Sequence, residues 1–189
     1  LTLTENLGPQ QFASLSQAVL DYAEARARLA IREIPDGLYR FTDYLDDDGI
    51  DPHPIPIQVT LKIRGDRLTV DFNGSGPEVR GAINCPLPFT QSAVYACIRC
   101  VMPPDIPNNE GYFRPIRIVA PPGSIVNPTR PAAVAARGLT GFRIANAVMG
   151  ALAQALPDKV PAAESGGDTG VSIAGYHNDS PFVLLEFLF

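Results

Sequence analysis

Ile55-Pro-Ile-Gln-Val-Thr-Leu-Lys-Ile-Arg64, Gly65-Asp66 and Arg67-Leu-Thr-Val-Asp-Phe72 form the stretch that decides the fold. Ile57, Val59, Leu61 and Ile63 alternate with Gln58, Thr60 and Lys62. Successive side chains of a strand point to opposite faces, so one face is apolar and the other wet. Gly65-Asp66 is a two-residue link of the kind that closes a hairpin. Gly37 to Tyr44 carries a similar pattern through Leu38, Tyr39, Arg40 and Phe41. Three such runs in succession predict an antiparallel meander.

Helical patterns flank the meander. Pro9 suits the first turn of a helix, where its missing N–H has no partner to lose. Phe12, Leu15, Val19, Tyr22 and Leu29 then recur at helical spacing, interrupted by Arg26, and predict a helix to about Glu33, stopped before Pro35. Such a stripe ordinarily packs on its own core, and as an a/d-like seam it also suits a partner helix. A helix is predicted over Thr90 to Val101. A second long one runs from Leu139 to Leu156, with Phe142, Ala145, Val148, Met149 and Leu152 on one face. Between these two, Met102 to Pro131 holds eight prolines and one short strand, Ile116 to Ala120. Proline fixes φ and removes donors, so this is rigid irregular chain, and a long ordered loop usually serves function or an interface. Two terminal strands, Val171 to Tyr176 and Phe182 to Phe189, close the chain. The fold class is α+β: antiparallel sheet, two long helices and a proline-rich irregular segment. An N-terminal helix over 1–34 joins an α+β core over 35–189.

The 189 residues suffice for one sizeable core. A net charge of −5 disfavours nucleic acid as a partner, since phosphate binding needs a basic patch. No apolar run approaches the ~20 residues that span a bilayer. Neither a starting methionine nor a signal peptide is visible, and the chain stops within an apolar run at Phe189, so it reads as an internal piece of a larger subunit. Cys85, Cys97 and Cys100 are too few and too clustered for a disulfide framework. Cys97 and Cys100 fall late in a predicted helix, which suits packed thiols in a reducing, cytoplasmic setting.

Several motifs invite chemistry. Asp46-Asp-Asp-Gly49 suggests a calcium loop, but aligning its glycine places Tyr44 and Ile55 where carboxylates are required. A solvated acidic turn is the reading. Gly74-Ser-Gly76 matches neither a phosphate loop nor a dinucleotide fingerprint. The only histidines are His53 and His177; neither is placed by sequence as a base for Ser75, and His177 falls in a polar hairpin turn. The strand end and glycine-rich stretch from Asp71 to Asn84 are where a site is commonly built. Asp71, Ser75 and Asn84 there, with Asn109 and Arg114 from the proline-rich loop, are the candidate substrate-binding residues. Amides both donate and accept, and glycine-flanked N–H groups stabilise charge on a carbonyl oxygen. A tight turn that fixes the sheet, and side chains that satisfy loop backbone, are the competing readings. No catalytic residue and no metal ligand set is assigned.

Six segments in register carry a resemblance: Asp36-Gly-Leu-Tyr-Arg-Phe-Thr-Asp-Tyr-Leu-Asp-Asp-Asp-Gly49, Leu68-Thr-Val-Asp-Phe-Asn-Gly-Ser75, Gly81-Ala-Ile-Asn-Cys-Pro86, Ile106-Pro-Asn-Asn-Glu-Gly-Tyr-Phe-Arg-Pro115, Pro122-Gly-Ser-Ile-Val-Asn-Pro128 and Arg130-Pro-Ala-Ala-Val134. Together they resemble the hydantoinase B family, which includes the B-type subunits of N-methylhydantoinases, part of 5-oxoprolinases, and subunits of acetone and acetophenone carboxylases. The resemblance implies ATP-dependent opening of a cyclic amide, or alternatively ATP-dependent carboxylation of a ketone. It implies an oligomer with a hydantoinase A-type subunit that holds the nucleotide. ATP and a divalent metal are expected elsewhere in the complex, the metal on an N-terminal His/Asp-rich segment that this sequence does not show. A scaffold and subunit-contact role without catalytic residues is the competing expectation.

Overall fold

A computed structural model describes residues 2–163, 166, 167 and 169–188. The apolar end at Phe189 lies outside them. The chain opens with α1 (Thr2–Leu7) and α2 (Pro9–Arg32). The expected meander follows as β1 (Gly37–Leu45), β2 (Ile55–Arg64) and β3 (Arg67–Asp71), paired antiparallel. Gly65 takes φ 59° at the first central position of the β2–β3 turn, which the II′-type hairpin requires. Next come α3 (Leu87–Val101), α4 (Glu110–Phe113), β4 (Ile116–Val119) and α5 (Arg137–Ala155). A separate hairpin, β5 (Thr169–His177) and β6 (Ser180–Leu188), turns through Asn178 and Asp179, both at positive φ, as read for the His177 segment.

The first sheet has the order β1-β2-β3-β4, and its last pair corrects the antiparallel expectation. β4 runs parallel to β3, with Leu68 beside Ile116 and Thr69 beside Arg117. The chain leaves β3 at Asp71 and returns only after α3 and α4. A crossover of that length permits parallel pairing, which a tight hairpin cannot. The sheet is therefore mixed. The short helix α4 is also absent from the proline-rich segment as read from sequence.

Register sorts the sheet faces. Ile57, Val59 and Leu61 are fully buried and Ile63 nearly so, together with Leu68 and Val70 opposite them. α5 covers this face with Ile144, Ala147, Val148, Ala151 and Leu152, a broad stripe at helical spacing. The opposite face carries Arg40, Lys62, Arg64, Arg67, Thr69, Asp71 and Arg117, since residues paired across strands share a face.

α2 decides between the two readings of its apolar stripe. Its buried side is Ala23, Ala27 and Ile31, packed beside α4 and β3. Gly111 of α4 sits so close that an added Cβ would meet the Leu20 carbonyl oxygen. The apolar stripe faces outward: Phe12, Leu15, Val19, Tyr22 and Leu29 are 41–55% exposed. With Arg26 they step by 3, 4, 3, 4 and 3 residues, the seam of a coiled coil rather than a core face. Plain packing on the chain's own core is thus not its use here. Among the described residues no helix is long and apolar enough to cross a membrane.

This arrangement separates two kinds of α2 residue. Ile31→Ala should cost about 2–5 kcal/mol, the usual range for truncating a fully buried aliphatic side chain. Leu15→Ala and Val19→Ala should stay within about 0.5 kcal/mol. Urea unfolding of the three variants measures this, and a large loss at Leu15 would mean that the stripe packs inward.

Candidate functional site

Four of the resemblance segments meet in one knot of loops at the end of the sheet. Glycine makes the closest approach possible. A Cβ on Gly81 would collide with the Asp48 carbonyl oxygen, so only hydrogen fits there. The Asp48 side chain then accepts from the backbone N–H groups of Ile50, Asp51 and Gly81. Asn84 is completely buried; its Oδ1 accepts from Val79 N–H at 2.9 Å. Its Nδ2 donates to the carbonyls of Val79, Gly81 and Ala133. Backbone bonds run from Cys85 to Ile125 and from Ile125 to Gly76. The buried hydroxyls of Thr90 and Thr140 donate to the Val126 and Ile83 carbonyls. The Glu78 carboxylate accepts from Thr129 N–H and hydroxyl, which hold it below its ordinary pKa.

The five candidate substrate residues fall into three places, and no hydrogen bond or ion pair among the described residues joins any two of them. Asp71 and Ser75 stand at the end of β3. Burial alone would raise the Asp71 pKa, but the Lys62 ammonium and two Asn73 donors outweigh it and hold the carboxyl low. The Ser75 hydroxyl accepts from Gln58 N–H and donates to Gln58 C=O. Gln58 lies one alternate position past the last β2–β3 pair, so Ser75 takes the bonds that a longer β3 would have made. Asn84 belongs to the knot. Asn109 precedes α4 and keeps a buried Oδ1 without a protein partner. Arg114 follows α4 and ion-pairs with Asp21 and Glu24 of α2 at 2.9 and 3.0 Å. Asp71, Ser75 and Asn84 thus spend their polar atoms inside the fold, while Arg114 faces a cleft.

Two clefts open beside the knot. One, of about 800 Å³, lies between the start of α3 at Pro86 and Pro88 and the loop carrying Asn127, Arg130 and Val134. The other, of about 380 Å³, is lined by Asp48, Asp51, His53, Glu78 and Arg80, with Arg80 ion-paired to Asp51 at 2.9 Å. Asp48 is held below its ordinary pKa by the Asp51 and Gly81 backbone donors. Its neighbour Glu78 is also held low, so both serve as anions and acceptors at neutral pH rather than as acids. The second cleft therefore offers carboxylates, an imidazole and a guanidinium that can orient a polar ligand, but no nucleophile paired with a base. Among the described residues no cluster of three or more His, Cys, Asp or Glu is suited to a metal.

Sequence reading missed the part played by Asp48. The Asp46–Gly49 turn is not simply solvated, because Asp48 is buried and organises its own loop and the next. The signal was present: an Asp two or three residues ahead of free N–H groups makes an Asx-type turn. Glu78, Thr90 and Thr140 carried no such signal. Of the thiols, Cys85 and Cys97 are buried as expected and Cys100 is exposed. Burial, with Cys100 beside it, pushes the Cys97 thiol up to about 12, which leaves it unreactive at neutral pH.

Comparison with known proteins places this geometry. The family model described as Hydantoinase B/oxoprolinase matches residues 1–189. A protein of Pseudomonas sp. (strain NS671), assigned as the B component of a D-/L-hydantoinase, is 35% identical over 100% of this chain and 33% of its own length. The beta chain of the caprolactamase of Pseudomonas jessenii is 30% identical over 98% of this chain and 32% of its own. The crystal structure of the ATP-dependent caprolactamase from Pseudomonas jessenii superposes with a TM-score of 0.82 at 27% identity, covering 97% of this chain and 32% of that one. An acetone carboxylase structure, also at TM-score 0.82 but 14% identical over 97% of this chain and 27% of that one, shares the fold. The chain spans about a third of the length of the subunits it matches.

Two measurements test the knot. Asn84→Ala strands a buried donor and several carbonyls and should cost roughly 2–4 kcal/mol. Asn84→Asp should be no better, because it turns an acceptor toward three carbonyl oxygens. Equal stability of either variant to the parent in urea unfolding would show that the knot is held otherwise. Acid gives the second test. The lowered folded-state pKa values of Asp48 and Asp71 contribute stability that is present above the unfolded carboxylate pKa of about 3.9 and lost as pH falls through the folded values. Asp48→Asn should therefore be less stable at pH 7 and should lose less on acidification to pH 3. Parallel stability curves for variant and parent would contradict the assignment.

Proposed function

The chain belongs to the hydantoinase B/oxoprolinase family, and from that premise we propose that it forms part of an ATP-dependent enzyme that opens cyclic amides. The whole-length match, together with 30% identity over 98% of the chain to a caprolactamase subunit, carries this reading. Its substrate class is a small ring containing a secondary amide. The overall reaction consumes two waters: one is added across the ring C–N bond, giving a carboxylate and an amine, and the other accompanies conversion of ATP to ADP and phosphate. An A-type partner subunit holds the nucleotide and the assembly supplies the divalent metal. The relatives' names as subunits support a multi-subunit enzyme, and the reading includes a cytoplasmic setting, which suits the packed, unbridged thiols of Cys85 and Cys97.

This chain's part is to wall and shape the site. The knot fixes the loops, and the cleft at His53, Asp51 and Arg80 supplies polar groups to orient the ring amide. Asp71, Ser75 and Asn84 act as positioning residues through the loops they hold. Asn109, with a spare buried acceptor, and Arg114, at the edge of a cleft, keep capacity for a ligand.

A second reading, a subunit-contact scaffold without catalytic groups, is favoured by the outward α2 stripe. One reconstitution distinguishes the two. The chain is supplied with an A-type subunit, ATP and Mg²⁺ and offered a hydantoin, 5-oxoproline or caprolactam, with acetone plus bicarbonate as a separate arm. We expect no turnover by the chain alone. In the complete intact enzyme, His53→Ala and Arg80→Gln should lower kcat/KM for the cyclic amide without changing assembly. Parental rates in both variants would favour the scaffold, and product only in the acetone arm would replace the hydrolase with a carboxylase.

A further inference from the structure

The chain is acidic overall, yet its wet sheet face is not. Register places Arg40, Lys62, Arg64, Arg67 and Arg117 on that face against one carboxylate, Asp71, which Lys62 neutralises. Among the described residues Arg40, Arg64, Arg67 and Arg117 have no ion-pair partner. At the far edge of this face lies a cleft of about 330 Å³ lined by Arg28, Arg67, Thr69, Arg114 and Arg117. It forms where α2 and the end of α4 meet β3 and the edge strand β4.

The groups facing it divide in two. Arg28 is tied to Glu24 at 2.7 Å and to Asp66 at 3.4 Å, and Arg114 is tied to Asp21 and Glu24. Asp66 also meets Arg32 at 3.3 Å. Five arginines therefore meet three carboxylates at the rim. The surplus is Arg67 and Arg117, which flank Thr69 on one face because Thr69 pairs with Arg117 and lies two residues from Arg67. A planar guanidinium recognises an oxyanion through two parallel N–H bonds. Two such forks around a hydroxyl, with two more held in place by carboxylates, make a receptor for a compact, multiply charged oxyanion. The volume is at the small end of ligand sites, which run from about 300 to 1,000 Å³.

We propose that this cleft is an oxyanion-binding site of the chain, separate from the loop knot, and that its ligand is a small phosphate or diphosphate group. Arg67 and Arg117 grip the anion, Thr69 donates a hydroxyl, and Arg28 and Arg114 close the sides. The proposal does not rest on the reaction proposed above.

Isothermal titration of the chain with pyrophosphate, at low and at physiological salt, tests it. A succinate arm separates phosphate from carboxylate recognition. We expect saturable one-to-one binding of pyrophosphate, weakening with salt, and little of succinate. Arg67→Gln/Arg117→Gln should weaken it at least tenfold with an unchanged circular dichroism spectrum and urea midpoint. Arg40→Gln/Arg64→Gln, on the same face but outside the cleft, should change it less than twofold. Absence of saturable binding, equal loss in both double variants, or tighter binding of succinate would each overturn the assignment. So would a cleft variant that loses partner-subunit assembly while keeping its pyrophosphate affinity.

Discussion

The buried amide of Asn84 is the constraint on which the shape of the loop region depends. The loops between β1 and β2, after β3 and after β4 are rich in proline, which gives the backbone no donor and little freedom. Such segments cannot satisfy one another through a regular ladder, yet their buried N–H and C=O groups still need partners. One side chain with two donors and an acceptor meets that need for two of these loops, the one after β3 and the one after β4. Asp48 does the same with an acceptor-only group, and for that reason its three partners are all N–H. Because the interior has a low dielectric, these bonds leave little tolerance for displacement. The walls of both clefts beside the knot inherit their positions from these two side chains.

Much of the fold was legible because its periodicities are local. The alternation in β1, β2 and β3 and the spacing in α5 are set by neighbours two to four residues apart, and the observed elements match them closely. The direction of β4 was not legible. Whether an isolated run such as Ile116–Val119 joins a sheet parallel or antiparallel depends on where a long crossover returns, which no local pattern encodes. α2 shows a related limit. Its stripe was correctly read as helical and apolar, but hydrophobic spacing does not say whether the partner surface belongs to the chain. The small residues Ala23 and Ala27 took the inner face because α4 comes in against the backbone, and the large residues were left outside.

The loop knot was legible in region more than in role. The stretch from Asp71 to Asn84 does lie at the end of a strand and does build the loop knot. The polar residues there were nevertheless ambiguous, because the groups that recognise a ligand amide are the same groups that satisfy backbone. Ser75 shows this plainly: a hydroxyl beside glycines reads as a ligand contact, and in the fold it closes a β-ladder on Gln58. Arg114 was singled out for its charge, but its neighbours Arg67 and Arg117 were unremarkable until strand pairing brought them onto one face.

The segregation of charge is the least expected property of the chain. Folding does not favour like charges on one sheet face, and pairs directly opposite, such as Arg64 and Arg67, oppose it. At physiological salt, screening over about 8 Å softens that repulsion without removing it. The cost is kept where the basic face meets α2, whose own apolar seam is uncovered. Arg114 links the two surfaces, since it lines the arginine cleft and is held by Asp21 and Glu24 on α2. Those carboxylates have further partners, since Glu24 also holds Arg28 and Asp21 accepts from Gln17. Arg28 and Arg114 both line the cleft and both pair with Glu24, so the cleft and the acidic edge of α2 are built from the same guanidinium groups.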